Sequence, residues 1–363
     1  MTSPEPSAAP WERTAAWLVA VWAGCLAGLV LVYELTVRTV AGRIVGDVAL
    51  RGADVQVPAF LSGMNTVLDL VTATSIAGAV ALVAVVALAR DRRDDGLVAV
   101  GLLVAANVSS RLLKSFLLSR PDLGLSESAP VTLNSLPSGH TTAAFSAVVA
   151  LLVVLPRRLR TPVALVGIGF SALAAIATMT SGWHRAGDSL ASLLLVASWT
   201  AVAGLVLLLR RAPRDDDAHA PAPEPTPAVH PDGATAVTPD AAPADRRGAP
   251  PPTTRAPEPL EQSPPGAADD APSGQVPPVP PVGRTARRLL VGSGVLAAVA
   301  LAIPLGIVLD EGARSSTFGA TAVFVAAGLL LVAATTATTV LVLRVLERTD
   351  DPAPARDPQP AEG

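Results

Sequence analysis

Hydrophobic positions in this chain neither alternate nor recur singly. They fill long blocks, separated by short stretches rich in arginine, aspartate, proline and glycine. A block of roughly 18 or more apolar residues reads as a membrane-crossing helix, because a helix rises about 1.5 Å per residue and the hydrocarbon core is about 30 Å thick. Eight such segments are predicted, near 15–36, 66–89, 97–114, 141–156, 162–180, 188–209, 289–309 and 319–343, the fourth of them short. Lipid offers no partner to backbone N–H and C=O groups, so each segment must be helical. The expected fold is an all-α membrane protein, with a six-helix unit over 15–211 and an appended two-helix transmembrane hairpin over 287–346.

The stretch 212–286 breaks the pattern. It is dominated by Ala, Pro, Asp and Thr, with runs such as PAPEPTPAV and PPVPPVG, and holds too few large apolar side chains to offset the entropy of ordering. A disordered cytoplasmic linker is predicted there, with a cytoplasmic N-terminal tail over 1–14 and a disordered C-terminal tail over 347–363. A Pro-rich docking segment for a partner is the less favoured reading. The first apolar block is too long, and too poor in preceding basic residues, for a cleaved signal peptide.

Short-loop arginines set the expected orientation. Arg90, Arg92 and Arg93 follow the second segment, Arg157, Arg158 and Arg160 the fourth, and Arg210, Arg211 and Arg214 the sixth, while Arg287 and Arg288 precede the seventh. All fall on one side if both termini are cytoplasmic. The loops around 37–65, 115–140, 181–187 and 310–318 then face outward. Arg38, Arg43 and Arg51 in the first outer loop dilute that signal without reversing it.

Composition removes other classes. With 50% hydrophobic, 16% charged and 3% aromatic residues among 363, and 34 prolines, one ordinary water-soluble core is excluded. A net charge of −3 provides no basic surface for nucleic acid. The one cysteine, Cys25, lies inside the first apolar block, so no disulfide within the chain can form.

Candidate chemistry concentrates at three places on the outward side. Lys114 is the one lysine in a chain that otherwise uses arginine, and it stands six residues before Arg120 in KSFLLSRP. A compact ammonium differs from a planar guanidinium in what it can hold. In LNSLPSGHTTAAF, Ser138 is placed to cap the fourth segment, leaving the N–H groups near Gly139 and His140 pointing outward as an anion site. Gly139 lets backbone approach a phosphate closely. In TSGWHRAGDSLAS, His184 and Asp188 are spaced to hydrogen-bond if the helix begins early enough, with the carboxylate fixing the imidazole tautomer. A metal pair is the rival use of that spacing. It is disfavoured, because the remaining histidines are His140 and, in the linker, His219 and His230. Two cations, a helix N-terminus and two histidines suit phosphoryl transfer, where fixed positive charge and N–H donors stabilise the equatorial oxygens.

With those residues in view, the chain resembles the type 2 phosphatidic acid phosphatase superfamily, the membrane lipid phosphatases related to vanadium haloperoxidases. Lys114, Arg120 and Pro121 look like its first motif, Pro137, Ser138, Gly139 and His140 match its second, and His184 with Asp188 matches the end of its third. The resemblance covers about 97–200 by motif and 15–210 by helix count. It implies a metal-independent reaction with no cofactor, through a phosphohistidine. His184 would attack phosphorus, Asp188 would orient it and His140 would protonate the leaving oxygen. Lys114, Arg120, Ser138 and Gly139 would hold the phosphate.

Two departures stand out. Five residues separate Lys114 from Arg120 where the family usually has six. The Ser-Arg pair that opens the third motif falls at Ala177 and Thr178, so one phosphate-binding guanidinium is absent. Such a loss can cost roughly 10²-fold in rate. Arg185, beside the nucleophile, or Arg111, one turn before Lys114, could replace it.

The leading expectation is thus a phosphoric monoester or diphosphate hydrolase acting on a lipid phosphate or isoprenoid diphosphate at the extracytoplasmic face of a bacterial plasma membrane. Three readings compete with it: a phosphotransferase using the same site, a catalytically impaired family member that binds anionic lipid or serves as a scaffold, and, more weakly, a transporter. No ionisable residue lies deep in segments one to six, which disfavours the last. Its expected partners are the lipid phosphate substrate and membrane lipids. Small residues such as Gly319, Ala320 and Ala327 would permit close helix contacts within the chain or in a homo-oligomer, and the linker or hairpin could engage another protein.

Overall fold

A computed structural model describes residues 10–56, 58–125, 134–211 and 282–350. The linker expected over 212–286 therefore lies outside the described residues up to position 281. Among the described residues there is no strand. The helices are α1 (Pro10–Val37), α2 (Val40–Asp54), α3 (Pro58–Asp69), α4 (Ala73–Ala89), α5 (Arg93–Leu112), a π-helical turn (Leu113–Leu117), α6 (Gly139–Val154), α7 (Arg157–Thr180), α8 (Ala186–Arg211), α9 (Val282–Leu309), α10 (Glu311–Ser315) and α11 (Thr317–Asp350).

Six of these are long and apolar enough to cross a membrane, namely α1, α5 with its π turn, α7, α8, α9 and α11. The expected second span, 66–89, is two helices, α3 and α4, bent by 54° at a short break. The bend has a local cause. Thr72 Oγ1 accepts from Ser75 N at 3.2 Å, and Ser75 Oγ accepts from Thr72 N at 2.8 Å. That reciprocal pair satisfies donors that a helix start leaves orphaned, so the chain can stop and restart between apolar stretches. The fourth segment, α6, has 16 residues and is the short apolar helix among them.

The expected outer loop over 37–65 is instead helical for most of its length, as α2 and α3. Thr39 caps α2 by accepting from Gly42 N at 3.0 Å. A run containing Arg43, Asp47 and Arg51 is too polar for a span, but its apolar residues Val48, Ala49 and Ala53 fall on one face and are buried. They meet Ala320, Val323, Phe324 and Ala327 of α11. Contact is close there: a Cβ added at Gly52 would lie 2.1 Å from the Ala320 carbonyl oxygen. Small residues thus bring two backbones together, as is usual where apolar burial alone gives helices no preference for one another.

The hairpin is packed into the bundle. α11 lies against α2, α7 and α8 as well as α9, and the main core cluster mixes Phe145, Leu193 and Val196 with Val342 and Leu346. At 34 residues α11 spans ~51 Å, so it runs beyond any single apolar layer. Its last residue, Asp350, sits 10% exposed among arginines. Arg160, itself 6% exposed, donates to Asp350 Oδ2. Arg211 Nη1 donates to Asp350 Oδ1 at 3.0 Å, and Arg211 Nη2 donates to Asp95 Oδ1 at 2.8 Å. The arginines that mark the expected inner loops thus gather at one end of the bundle, around a carboxylate that closes α11 onto α5, α7 and α8.

Removing one partner of a poorly solvated ion pair leaves the other uncompensated, at a typical cost of about 3 kcal/mol. Asp350→Ala is therefore expected to lower the thermal midpoint of detergent-solubilised protein by several degrees. Glu347→Gln, which breaks only the exposed pair with Arg344, should stay within about 0.5 kcal/mol of wild type. Equal midpoints for Asp350→Ala and wild type would show that the carboxylate does not hold α11.

Candidate active site

The end of the bundle opposite those arginines is built by the starts of α6 and α8 and the stops of α5 and α7. α6 begins as the sequence suggests. Ser138 is its N-cap, accepting from Thr141 N at 3.4 Å. Ser138 is fully buried and its other polar groups are taken: Ser138 N donates to the Asp188 carbonyl at 3.0 Å, while Ser192 Oγ and Thr142 Oγ1 both donate to its own carbonyl at 2.8 Å. The cap residue is thereby locked to α8, and the positions after it are presented outward. A Cβ built on Gly139 meets nothing within 4 Å, so this backbone faces open space. Gly139 and His140 line a cavity of 430 Å³ together with Asn107, Arg111 and Trp183. The Trp183 ring stacks obliquely on His140, with centroids 5.4 Å apart.

The third motif folds differently from a continuous helix. α7 ends at Thr180, and Gly182 takes a positive φ of 70° that glycine tolerates at little cost. The backbone N–H groups of Trp183 and His184 both donate to the Thr178 carbonyl at 3.1 Å. His184 therefore sits in the turn, two residues before α8 starts at Ala186. Its pairing with Asp188 runs across the helix start. Asp188 in the first turn of α8 accepts the backbone N–H of the preceding residue, Arg185, at 3.0 Å, which is half of a capping box. The same oxygen, Oδ2, accepts from Ser135 Oγ at 2.6 Å and faces His184 Nδ1 at 3.3 Å. With Asp188 2% and His184 8% exposed, this carboxylate has three donors around one oxygen. Charge-assisted bonds of this type contribute about 1.5–3 kcal/mol each. Held so, His184 presents its Nε2 as the free nitrogen.

The first motif is carried by the change from helix to extended chain. α5 widens into the π turn that holds Lys114, then leaves the helix at Leu118. Arg120 lies in the extended stretch beyond. That stretch is pinned: Tyr33 Oη donates to the Ser119 carbonyl at 2.6 Å, Asn134 Nδ2 to the Leu118 carbonyl at 3.2 Å, and Arg43 to the Pro121 carbonyl. Because extended chain advances about 3.3 Å per residue against 1.5 Å in a helix, the five-residue spacing from Lys114 to Arg120 imposes no helical angle.

Lys114 interacts electrostatically with both Asp188 and Arg111, and His140 with both His184 and Lys114. The five residues thus gather at one place. Arg120, Arg185 and Asp188 line a second cavity, of 410 Å³, on the α1 and α2 side. Of the two arginines proposed to replace the absent one, Arg111 is exposed and opens toward His140, while Arg185 is buried and shares a cavity with Arg120. Thr178, where the family has arginine, is fully buried, and its hydroxyl donates to the Ala175 carbonyl at 2.8 Å.

Sequence reasoning missed Ser135 as part of this site, and it offered Trp183 as a neighbour of His184 or an interfacial residue, whereas its ring lies against His140. Ser135 was available as the serine three residues before the cap, but nothing in the sequence alone puts it on Asp188. An orienting carboxylate, an imidazole with one free nitrogen, a second imidazole beside a helix start, and cations on both sides form a set able to bind an oxyanion, attack it and protonate a leaving group.

Residues 95–212 match the family model of the PAP2 superfamily. No curated protein and no solved structure matches the chain.

The geometry fixes an expected tautomer. In ¹⁵N spectra of histidine-labelled protein, neutral His184 should carry its proton on Nδ1, and Asp188→Ala should move the majority to Nε2, the form free imidazole prefers. A His184 protonated on Nε2 in wild type would mean that Asp188 does not orient it.

Proposed function

We propose, from the match of residues 95–212 to the PAP2 superfamily model, that the protein is a lipid phosphate phosphatase. It acts on a lipid phosphate or isoprenoid diphosphate at the extracytoplasmic face of the membrane. The single observation that carries the reading is the gathering of Lys114, His140, His184 and Asp188 at the end of the bundle away from the Arg160–Asp350 cluster.

In this mechanism Nε2 of His184 attacks phosphorus and the bond from phosphorus to the leaving oxygen breaks. His140 donates a proton to that oxygen, releasing the lipid alcohol or lipid monophosphate. His140, now neutral, takes a proton from water, whose oxygen attacks the phosphohistidine and breaks its P–N bond to free inorganic phosphate. Asp188 keeps the His184 tautomer and stabilises its positive charge as it develops. Lys114, Arg120 and the N–H groups at Gly139 hold the phosphoryl oxygens, and Ser138 contributes by fixing that helix start. Arg185 takes the place of the absent guanidinium. What favours it over Arg111 is its burial and its shared cavity with Arg120, since a charge contact is stronger where water is excluded.

Orientation rests on the arginines. Arg90, Arg157, Arg158, Arg210 and Arg211 line one cavity with Asp350, at the opposite end of α6 from His140. Its 16 residues span ~24 Å. Under the positive-inside rule that end is cytoplasmic.

Purified protein is expected to release phosphate from phosphatidate, phosphatidylglycerol phosphate or undecaprenyl diphosphate, and chelators should not slow it. His184→Ala should abolish release, and phosphate-labelled lipid should leave acid-labile label on wild-type protein only. Turnover by His184→Ala would refute the phosphohistidine. Label that forms but passes to an added alcohol faster than to water would instead identify a phosphotransferase. Arg185→Ala is expected to cost roughly 10²-fold in kcat/KM and Arg111→Ala at least tenfold less, measured on the same lipid. The reverse order would move the replacement to Arg111.

A further inference from the structure

The 410 Å³ cavity beside the site is lined partly by the family-matched segment and partly by helices outside it. One side is the carboxyl end of α1, α2 and the first turn of α8. The rest of the lining includes Leu301, Pro304 and Leu305 of α9 and Val323, Ala327 and Leu330 of α11. Its polar lining is confined to Thr36, Arg120, Arg185 and Asp188. The two arginines thus meet an otherwise apolar space. Arg185 reaches it by lying flat across α2, where a Cβ built on Gly46 would be 2.8 Å from its Cδ.

We propose that α9 and α11 form one wall of a hydrocarbon-chain site, whose occupant is a long-chain lipid held by its phosphate head at Arg120 and Arg185. This deepens the phosphatase reading and rests on it for the identity of the head group. Chemistry selects the occupant. A free sugar phosphate or a nucleotide would press hydroxyl and amide groups against Leu, Val and Ala walls with nothing to bond them. Two guanidinium groups on the wall favour an anionic head over an uncharged one. The size falls within the range of small-molecule pockets. For a substrate already dissolved in the bilayer, moving the chain from lipid to cavity gains little from apolar burial. What the site supplies is placement, since a chain fixed between α2 and the hairpin sets the head beside Asp188, the residue that faces His184.

The test uses full-length protein with dioleoyl and dihexanoyl phosphatidate. Leu305→Trp stands at the cavity rim, where Leu305 is 66% exposed, and Ala327→Phe fills the interior. Each is expected to lower the ratio of kcat/KM for the dioleoyl over the dihexanoyl substrate at least tenfold. Val325→Phe, on an exposed part of α11 away from the cavity, should leave that ratio within twofold. In parallel, His184→Ala protein is exposed to a phosphatidate carrying a photoreactive group near the chain end. Label should enter 300–305 and 323–330, be displaced by dioleoyl phosphatidate, and resist diacylglycerol. Ratios unchanged in both cavity variants, label confined to other helices, or equal displacement by diacylglycerol would each overturn the proposal. Labelling as expected in a protein that turns over no lipid would uphold the chain site while removing the phosphatase reading.

Discussion

Everything at the active end depends on Asp188. Its side chain collects Ser135, the Arg185 backbone and His184 on one oxygen, and its carbonyl accepts from Ser138. One residue therefore fixes three things: the start of α8, the tautomer of the imidazole before it, and the position of α6, whose N-terminus faces the cavity. Burying a carboxylate this deeply is unfavourable unless its oxygens are bonded. The donors that make the burial tolerable are those that arrange the site, so stability and geometry are secured by the same bonds.

The helix ends explain how an apolar bundle can hold polar chemistry at all. Interior turns of α6 and α8 satisfy their own backbone and offer side chains that mostly pack, with hydrogen bonds to α5 at Ser146 and Trp199. At their N-termini the N–H groups have no partner within the helix, and they must be capped, solvated or given an anion. α6 is capped by Ser138 and faces open space at Gly139. α8 is capped in part by its own Asp188. Placing both starts at one level, with the widened end of α5 beside them, gathers donors and cations that could not be accommodated deeper in the bundle. The other end is handled by charge pairing: Asp350 offsets arginines that would otherwise repel one another.

Much of this was legible in the sequence, for physical reasons. Uninterrupted apolar blocks admit only helices in lipid, so the spans could be read, and the PSGH and H-x-x-x-D elements carry residue types with few alternative uses. What stayed hidden depends on partners distant in sequence. α2 has too many polar residues to read as a span. Arg43 resembles a loop charge until its guanidinium is seen to hold the Val37 and Pro121 carbonyls. The break at Thr72 is signalled only by a Thr and a Ser three residues apart, a pattern that occurs in many uninterrupted helices. His184 stands before its helix because Gly182 turns the chain, and periodicity cannot foresee that.

The hairpin is the clearest case of a hidden partner. Its apolar pattern permits lipid on every side, yet α11 is buried against α2, α7 and α8, and Asp350 ties its end to arginines of α7 and α8. A helix held at its end by charge and along its length by close small-residue contacts cannot swing away from the bundle without breaking both. α11 is therefore a fixed wall, and α9, which packs chiefly on α11, is carried with it. Packed directly on α2, α11 lines the apolar cavity beside Arg120 and Arg185 together with α9. Under the proposed chain site, discrimination there would follow from shape, since the Leu, Val and Ala side chains that line it offer no polar group to read.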